Sequence, residues 1–373
     1  MSIDLFLFSL LGFTLIMHLI FVNVIIGVTV LTVAIRYTAY LRNDPYLELL
    51  ARRAFRVMVI FDLFGGVWGT ILTVYMAGFF PSMVAIFTRV YFYPVAIALT
   101  GILVSIPLIV MYWHLWGRIS PRSHSLLGIP MAISVLLVPL GFRYLFAGLN
   151  YPIGIDGDQP SYIAALANPV YPALALHTIL GGLDIGAFVL AAILATRSNM
   201  DVRGVRIALS TGMALLIPQS IAGAYYYVIL AEYDPYIVNN IAGPLLGGKP
   251  SLGFVYPLFY TAIVLVVALT IVGAIALYNA MMGFVNRPLA ITAGILSELI
   301  LVLMEFVNDG SRYPYLFLSG NAGIPVNELL NEAIPLPLVA IYTMIASTLV
   351  FTVIFSIVLY YGLFRRYLPE TEE

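Results

Sequence analysis

Residues 6–34 read FLFSLLGFTLIMHLIFVNVIIGVTVLTVA, an apolar run with one imidazole, His18, and no charged side chain. A helix needs about 20 apolar residues to cross a hydrocarbon core about 30 Å thick, so this stretch reads as a membrane span. Comparable runs recur near 57–79, 91–116, 126–148, 171–195, 207–231, 254–282, 288–307 and 337–364. Turn formers separate them: Asn43-Asp44-Pro45, Ser120-Pro121-Arg122, Asp156-Gly157-Asp158-Gln159-Pro160, Gly247-Gly248-Lys249-Pro250, and the longer segment 308–336. The expected fold is an all-α polytopic membrane protein, one membrane domain over 1–373 with nine transmembrane helices.

Composition agrees. The chain is 62% hydrophobic and 9% charged, with a mean hydropathy of +1.02. Soluble domains carry about a quarter of their residues as charges. A net charge of −1 without a basic patch gives nucleic acid nothing to bind. The absence of cysteine excludes disulfides, thiolate-ligated metal, iron–sulfur clusters and covalently attached heme, though not a heme held by histidine. The first residues, MSIDLFLFSL, lack a basic region and a small-residue cleavage site, so the first run is expected to be a retained span.

Orientation follows from the basic residues, which gather on the cytoplasmic side of membrane proteins. Arg36, Arg42, Arg52, Arg53 and Arg56 crowd the first connection. Arg118 and Arg122, then Arg197, Arg203 and Arg206, then Arg287, then Arg365 and Arg366 fall on the same side, 13 of the 17 basic residues in all. Nine spans then put the N-terminus outside and the C-terminus in the cytoplasm of a cell-membrane protein. Gly65 with Gly69, and Gly182 with Gly186, stand at the four-residue spacing that lets helix backbones approach.

Ionisable groups within spans are costly and are retained for a reason. His18 sits in the middle of the first span and His177 about two turns into the fifth. Each is read evenly as a heme-iron ligand or as a core histidine bonded to a carbonyl. His114 and His124 are expected at the membrane interface, solvated. Asp62 and Asp184 are candidate proton-relay members or propionate or arginine partners, against plain interhelical hydrogen bonding. Arg143 is expected to meet a buried carboxylate or a heme propionate, and Glu298 and Glu305 lie in or beside the eighth span.

The segments around the histidines resemble subunit I of the cytochrome bd quinol oxidases. The first span carries His18-Leu-Ile-Phe21-Val22, then Gly27, similar to the family pattern around a high-spin heme ligand. The fifth carries Asn168-Pro169, His177-Thr178 and Gly182-x3-Gly186-Ala187, similar to the segment around the low-spin heme ligand. Gly66-Val67, Asn150-Tyr151-Pro152-Ile153-Gly154, Gly212-Met213-Ala214, Phe306-Val307 and Arg312-Tyr313-Pro314-Tyr315 follow in family order.

The resemblance implies one or two b-type hemes, on His177 toward the outer face and on His18 deeper, with Arg312 on a propionate. Quinol is the implied electron donor. A second, related membrane subunit is the implied partner, with small accessory subunits also in view. The chain also departs from the family. Its third span, Pro94 to Gly117, holds no carboxylate, with Ala98 and Ile106 where the family has glutamates, and Ser319 stands where a later glutamate is expected. The seventh span offers no methionine at the depth of His177, and the loop after the sixth lacks the family's lysine and glutamate pattern. These departures argue against heme d and O2 reduction in this subunit. The other readings are a hemeless structural partner of a catalytic subunit and a transporter lined by Asp62, Asp184 and Arg143.

Overall fold

The computed structural model describes residues 3–155, 161–197, 201–330 and 338–361. The turn segment 156–160 and Arg365 and Arg366 lie outside the described residues. Nine helices among those described are long and apolar enough to span a membrane. They are α1 (Ile3–Arg42), α2 (Pro45–Phe79), α4 (Phe92–His114), α5 (Pro121–Asn150), α7 (Tyr171–Ala195), α8 (Val202–Tyr233), α10 (Val255–Met281), α11 (Arg287–Arg312) and α13 (Leu338–Tyr361). Short helices α3 (Pro81–Arg89), α6 (Tyr162–Leu166), α9 (Pro235–Ala242) and α12 (Val326–Leu329) decorate the connections, with a 3-10 turn at Pro244–Leu246.

The basic first connection is not a loop. α1 runs to Arg42 and α2 starts at Pro45, so Arg36, Arg42, Arg52, Arg53 and Arg56 ride on helices that outrun the apolar segment. The turn needs only two residues. Asn43 takes φ 47°, the left-handed conformation that asparagine tolerates at a helix end. Asp44 then caps α2 by accepting from the backbone N–H groups of Tyr46 and Leu47, with Pro45 at the first helical position. Arg203 of α8 reaches the same carboxylate at 2.5 Å, and its hydrogen bond lowers the Asp44 pKa. Tyr46 and Arg53 both bond Asp201, fastening the turn to the start of α8.

The segment after the eighth span is also more ordered than its length predicts. α11 continues to Arg312, and an antiparallel hairpin follows, β1 (Tyr315–Ser319) with β2 (Ala322–Pro325), pairing Phe317 with Ile324 and Ser319 with Ala322. Its turn is Gly320-Asn321, with Gly320 at φ +62° as a tight hairpin requires. Leu316, Phe317 and Leu318 are all buried, so β1 is a packed strand under which Phe87 of α3 fits edge-on.

α7 is the most enclosed of the spans. It crosses α1 where a Cβ on Gly27 would collide with the Gly182 carbonyl oxygen and lie 2.7 Å from the Gly186 Cα. Gly182 and Gly186, which looked like a packing signal, are therefore the crossing point itself.

The apolar core comes in blocks. One, toward the end that carries the α1–α2 turn, takes Phe21 to Ala39 of α1, Ile185 to Ala195 of α7 and Val205 to Leu216 of α8. Two others lie toward the hairpin end. They take Phe6 to Leu10 of α1 and the hairpin, and Val170 and Leu174 of α7 with Leu230 of α8. Along α7, residues 175–184 belong to none of these blocks.

Candidate functional site

His177 falls in that stretch of α7, whereas Phe13 and Met17, beside His18 on α1, pack against the first block. His18 projects from α1 onto α2, where its Nδ1 lies 3.0 Å from the Gly65 carbonyl oxygen. A carbonyl only accepts, so Nδ1 carries the proton and Nε2 keeps its lone pair. One turn on, Gly69 leaves the ring its room: a Cβ there would stand 3.0 Å from the imidazole Cε1.

His177 projects from α7 onto α8 and meets three residues at helical spacing. Gln219 brings its amide nitrogen to 3.1 Å from Nδ1. Gly223 would place a Cβ 3.2 Å from the ring. Tyr226 stacks on it with centroids 5.9 Å apart and planes 22° apart. In neither histidine does Nε2 make a hydrogen bond among the described residues, and both side chains keep some exposure.

Tyr226 begins a polar chain. Its hydroxyl accepts from Asn150 Nδ2 at 2.8 Å, and Asn150 Oδ1 accepts from Arg312 Nη2 at 2.9 Å. Arg312 also donates to Asn308 Oδ1 at 3.0 Å and to the Asn308 and Leu316 carbonyls. Asn308 in turn donates to Glu305. Asn150 and Arg312 are 1% and 2% exposed, so the chain runs through the interior.

Arg143, 9% exposed, lies over the Phe146 ring at 4.8 Å and acts electrostatically on both His18 and His177. Neither Arg143 nor Arg312 has a carboxylate at ion-pair distance among the described residues. Arg143 is thus a buried guanidinium with no anionic partner at ion-pair distance among the described residues, whereas Arg312 is held by hydrogen bonds and acts electrostatically on Asp234 and Asp309. Expulsion from water makes an uncompensated charge costly, so a group such as Arg143 marks where an anion belongs.

The carboxylates are spread out. Asp184 is 5% exposed, and its Oδ1 is buried without a partner. Asp62 is half-buried on the α2 face that carries Gly69, about two turns away, and bonds to nothing among the described residues. On α11, Glu298, Glu305 and Asp309 share one face by helical spacing. Both oxygens of Glu298 and Oδ2 of Asp309 are buried without partners.

The remaining histidines divide. His114 is exposed and bonds to Arg118, as an interfacial residue does. His124 does not sit solvated at the interface. It lies in the first turn of α5, fully buried, accepts from Arg36 Nε at 3.2 Å and donates to the Tyr112 carbonyl at 2.9 Å. The rings of Tyr112 and Trp116 cover it, so the helix start of α5 tucks it inward.

At the hairpin end, Tyr236, Asn239, Asn240, Gly247 and Lys249 line an open cavity of about 230 Å³. Its wall is tied to the polar chain: Asn240 donates to the Ser311 carbonyl at 2.6 Å and Tyr236 to the Tyr313 carbonyl at 2.8 Å, on either side of Arg312.

The family model for cytochrome bd terminal oxidase subunit I matches residues 9–243. The chain belongs to this family. As a bd oxidase subunit I it is a multi-pass membrane subunit of the respiratory quinol oxidases, and membership favours the oxidoreductase reading over the transporter one. The match takes in His18, His177, Asn150 and Gln219 and stops short of Arg312. Among solved structures, the bd oxidase from Geobacillus thermodenitrificans has a similar fold, with a TM-score of 0.82 over 98% of this chain and 99% of that chain at 18% identity. No curated protein matches.

Gln219, Gly223 and Tyr226 stand against His177 and were not among the residues expected from the sequence. Their signal was present. Gln219 is a primary amide in an apolar span, and the three positions fall on one helix face.

Proposed function

We propose that this subunit carries b-type heme on His18 and His177 and passes electrons taken from quinol. The observation that carries the reading is the bond from His18 Nδ1–H to the Gly65 carbonyl, which leaves Nε2 as a bare donor. Further support comes from the cradles at Gly69 and Gly223, where a Cβ would crowd the rings. Arg143 and Arg312 suit propionate carboxylates, whose planar geometry a guanidinium matches. Bound heme b supplies a one-electron redox centre. The chain's own residues orient the two imidazoles and neutralise the propionates.

In this reading the quinol headgroup is held near Tyr236, Asn240 and Lys249, whose wall connects through Ser311 and Arg312 to Asn150 and Tyr226 beside His177. The Arg-rich ends of α1, α2 and α8 face the cytoplasm, which puts the N-terminus and the hairpin outside in the plasma membrane. A second membrane subunit completes the complex. O2 reduction is not assigned to this subunit, because α4 supplies no carboxylate to deliver protons.

The test is to add a short-chain quinol to the anaerobic purified complex and record the visible spectrum. The reading expects reduced b-type bands to rise within the mixing time of a manual experiment. A colourless complex, or bands that dithionite reduces and quinol does not, contradicts it.

A further inference from the structure

The bond between Gln219 and His177 is a choice between two chemistries. With the amide NH2 toward Nδ1, as at 3.1 Å here, the imidazole proton sits on Nε2, and that nitrogen cannot ligate iron. With the amide carbonyl toward Nδ1, the proton sits on Nδ1 and Nε2 is bare. Nothing fixes the amide in the first sense: its Oε1 is buried without any partner, and Nε2 bonds only to His177. The amide is held in place but not in orientation. Gly181 of α7 lies alongside, where a Cβ would come 2.9 Å from the amide nitrogen, so the backbone confines the group against the ring.

We propose that Gln219 is the positioning residue of the His177 site, turning its carbonyl to Nδ1–H and thereby selecting the ligating tautomer. This rests on His177 being a heme ligand. An acceptor on Nδ1–H pulls the proton and makes the imidazole a stronger donor, which favours the ferric state and lowers the reduction potential. The two histidines are then held by different devices. His18 uses a helix carbonyl that no substitution can alter, whereas His177 uses a side chain whose acceptor strength can be graded.

The experiment is redox titration of the purified complex, reading the midpoint potential of the low-spin heme in Gln219→Met and Gln219→Glu. Methionine keeps length and volume without a strong acceptor, and glutamate strengthens the acceptor. The potential is expected to rise in Gln219→Met and fall in Gln219→Glu, with heme content retained. Gly181→Ala, which displaces the amide without changing its chemistry, is expected to shift the potential in the same direction as Gln219→Met, and it serves if Gln219→Met does not fold. Loaded variants with the unchanged potential overturn the proposal, as does a fall in Gln219→Met. His177→Ala separates the two levels: if it keeps the low-spin bands, the heme assignment fails, whereas if it loses them while the Gln219 variants keep the wild-type potential, only the role of Gln219 fails.

Discussion

Nδ1 of His18 stands 3.0 Å from the carbonyl oxygen of Gly65, across the packing of α1 on α2. Because the acceptor belongs to a helix backbone, the imidazole is fixed in tautomer by the fold itself, and Gly69 one turn on sets how close the ring can lie. Gly69→Val places two methyl groups where the ring now fits. The variant is expected to lose heme from the His18 site while the His177 site stays loaded, at a stability cost of about 1–3 kcal/mol for overpacking. Pyridine hemochrome assay of the heme-to-protein ratio checks it. An unchanged ratio refutes the cradle.

The crossing of α1 and α7 predicts a second effect. A side chain at Gly27 meets backbone on both sides, at Gly182 and Gly186, and backbone cannot swing aside. Gly27→Val is expected to force the helices apart and lower the Tm in detergent by several degrees, corresponding to about 2–3 kcal/mol or more. Gly66, where a Cβ meets nothing within 4 Å, serves as the control: Gly66→Ala is expected to leave the Tm within a degree or two.

Arg312 and Asn150 form the hub of the buried polar chain, and their effects are expected to be coupled. Arg312→Ala leaves Asn150 Oδ1, Asn308 Oδ1 and the Leu316 carbonyl short of a donor, with a cost of about 3 kcal/mol. Asn150→Ala and the double variant complete a cycle whose interaction term is expected at about 1–3 kcal/mol. Thermal or denaturant unfolding reads it, and strict additivity would deny the hub.

Asp234 gives a pH dependence. It is fully buried at the start of α9, where it caps the helix through Ile237 N–H, and burial pushes its carboxyl up to about 7 against the pull of Arg312. Below about pH 4 folded and unfolded chains both hold the proton. Between about pH 4 and 7 the unfolded chain releases it and the folded chain keeps it, so stability falls as pH rises, by up to about 4 kcal/mol, and levels off above 7. Asp234→Asn keeps the capping oxygen and is expected to flatten that slope. Melting curves across pH 4.5–8 decide, and an equal slope in both proteins sinks the assignment.

Much of this architecture was legible because lipid admits few solutions. Uninterrupted apolar length marks each span, and the fifth was bounded by its residues alone, Tyr171–Ala195. Helix ends beyond the apolar core were harder to see. Arg52, Arg53 and Arg56 look like a loop until the cap at Asp44 shows that α2 has already begun. The hairpin at Tyr315–Pro325 was hidden because its buried Leu316-Phe317-Leu318 run lacks strand alternation. In the site, His18, His177 and Arg143 stood out because ionisable groups are rare in spans, and Arg312 through the family resemblance of its segment. Gln219 and Tyr226 did not, since an amide or a phenol in an apolar helix is unremarkable until the facing imidazole is in place. His124 misled for the opposite reason: its place in the connection after the third span suggested water, and the tertiary fold supplied Tyr112 and Trp116 instead.

Electron transfer through this subunit requires iron at two imidazoles. The most direct measurement is the reduced-minus-oxidised difference spectrum of the purified wild-type complex beside His177→Ala and His18→Ala. Soret and α bands are expected in the wild type, with loss of the low-spin bands in His177→Ala and loss of a separate component in His18→Ala. A colourless wild-type protein from heme-replete cells, or bands that survive in both variants, would contradict the heme assignment.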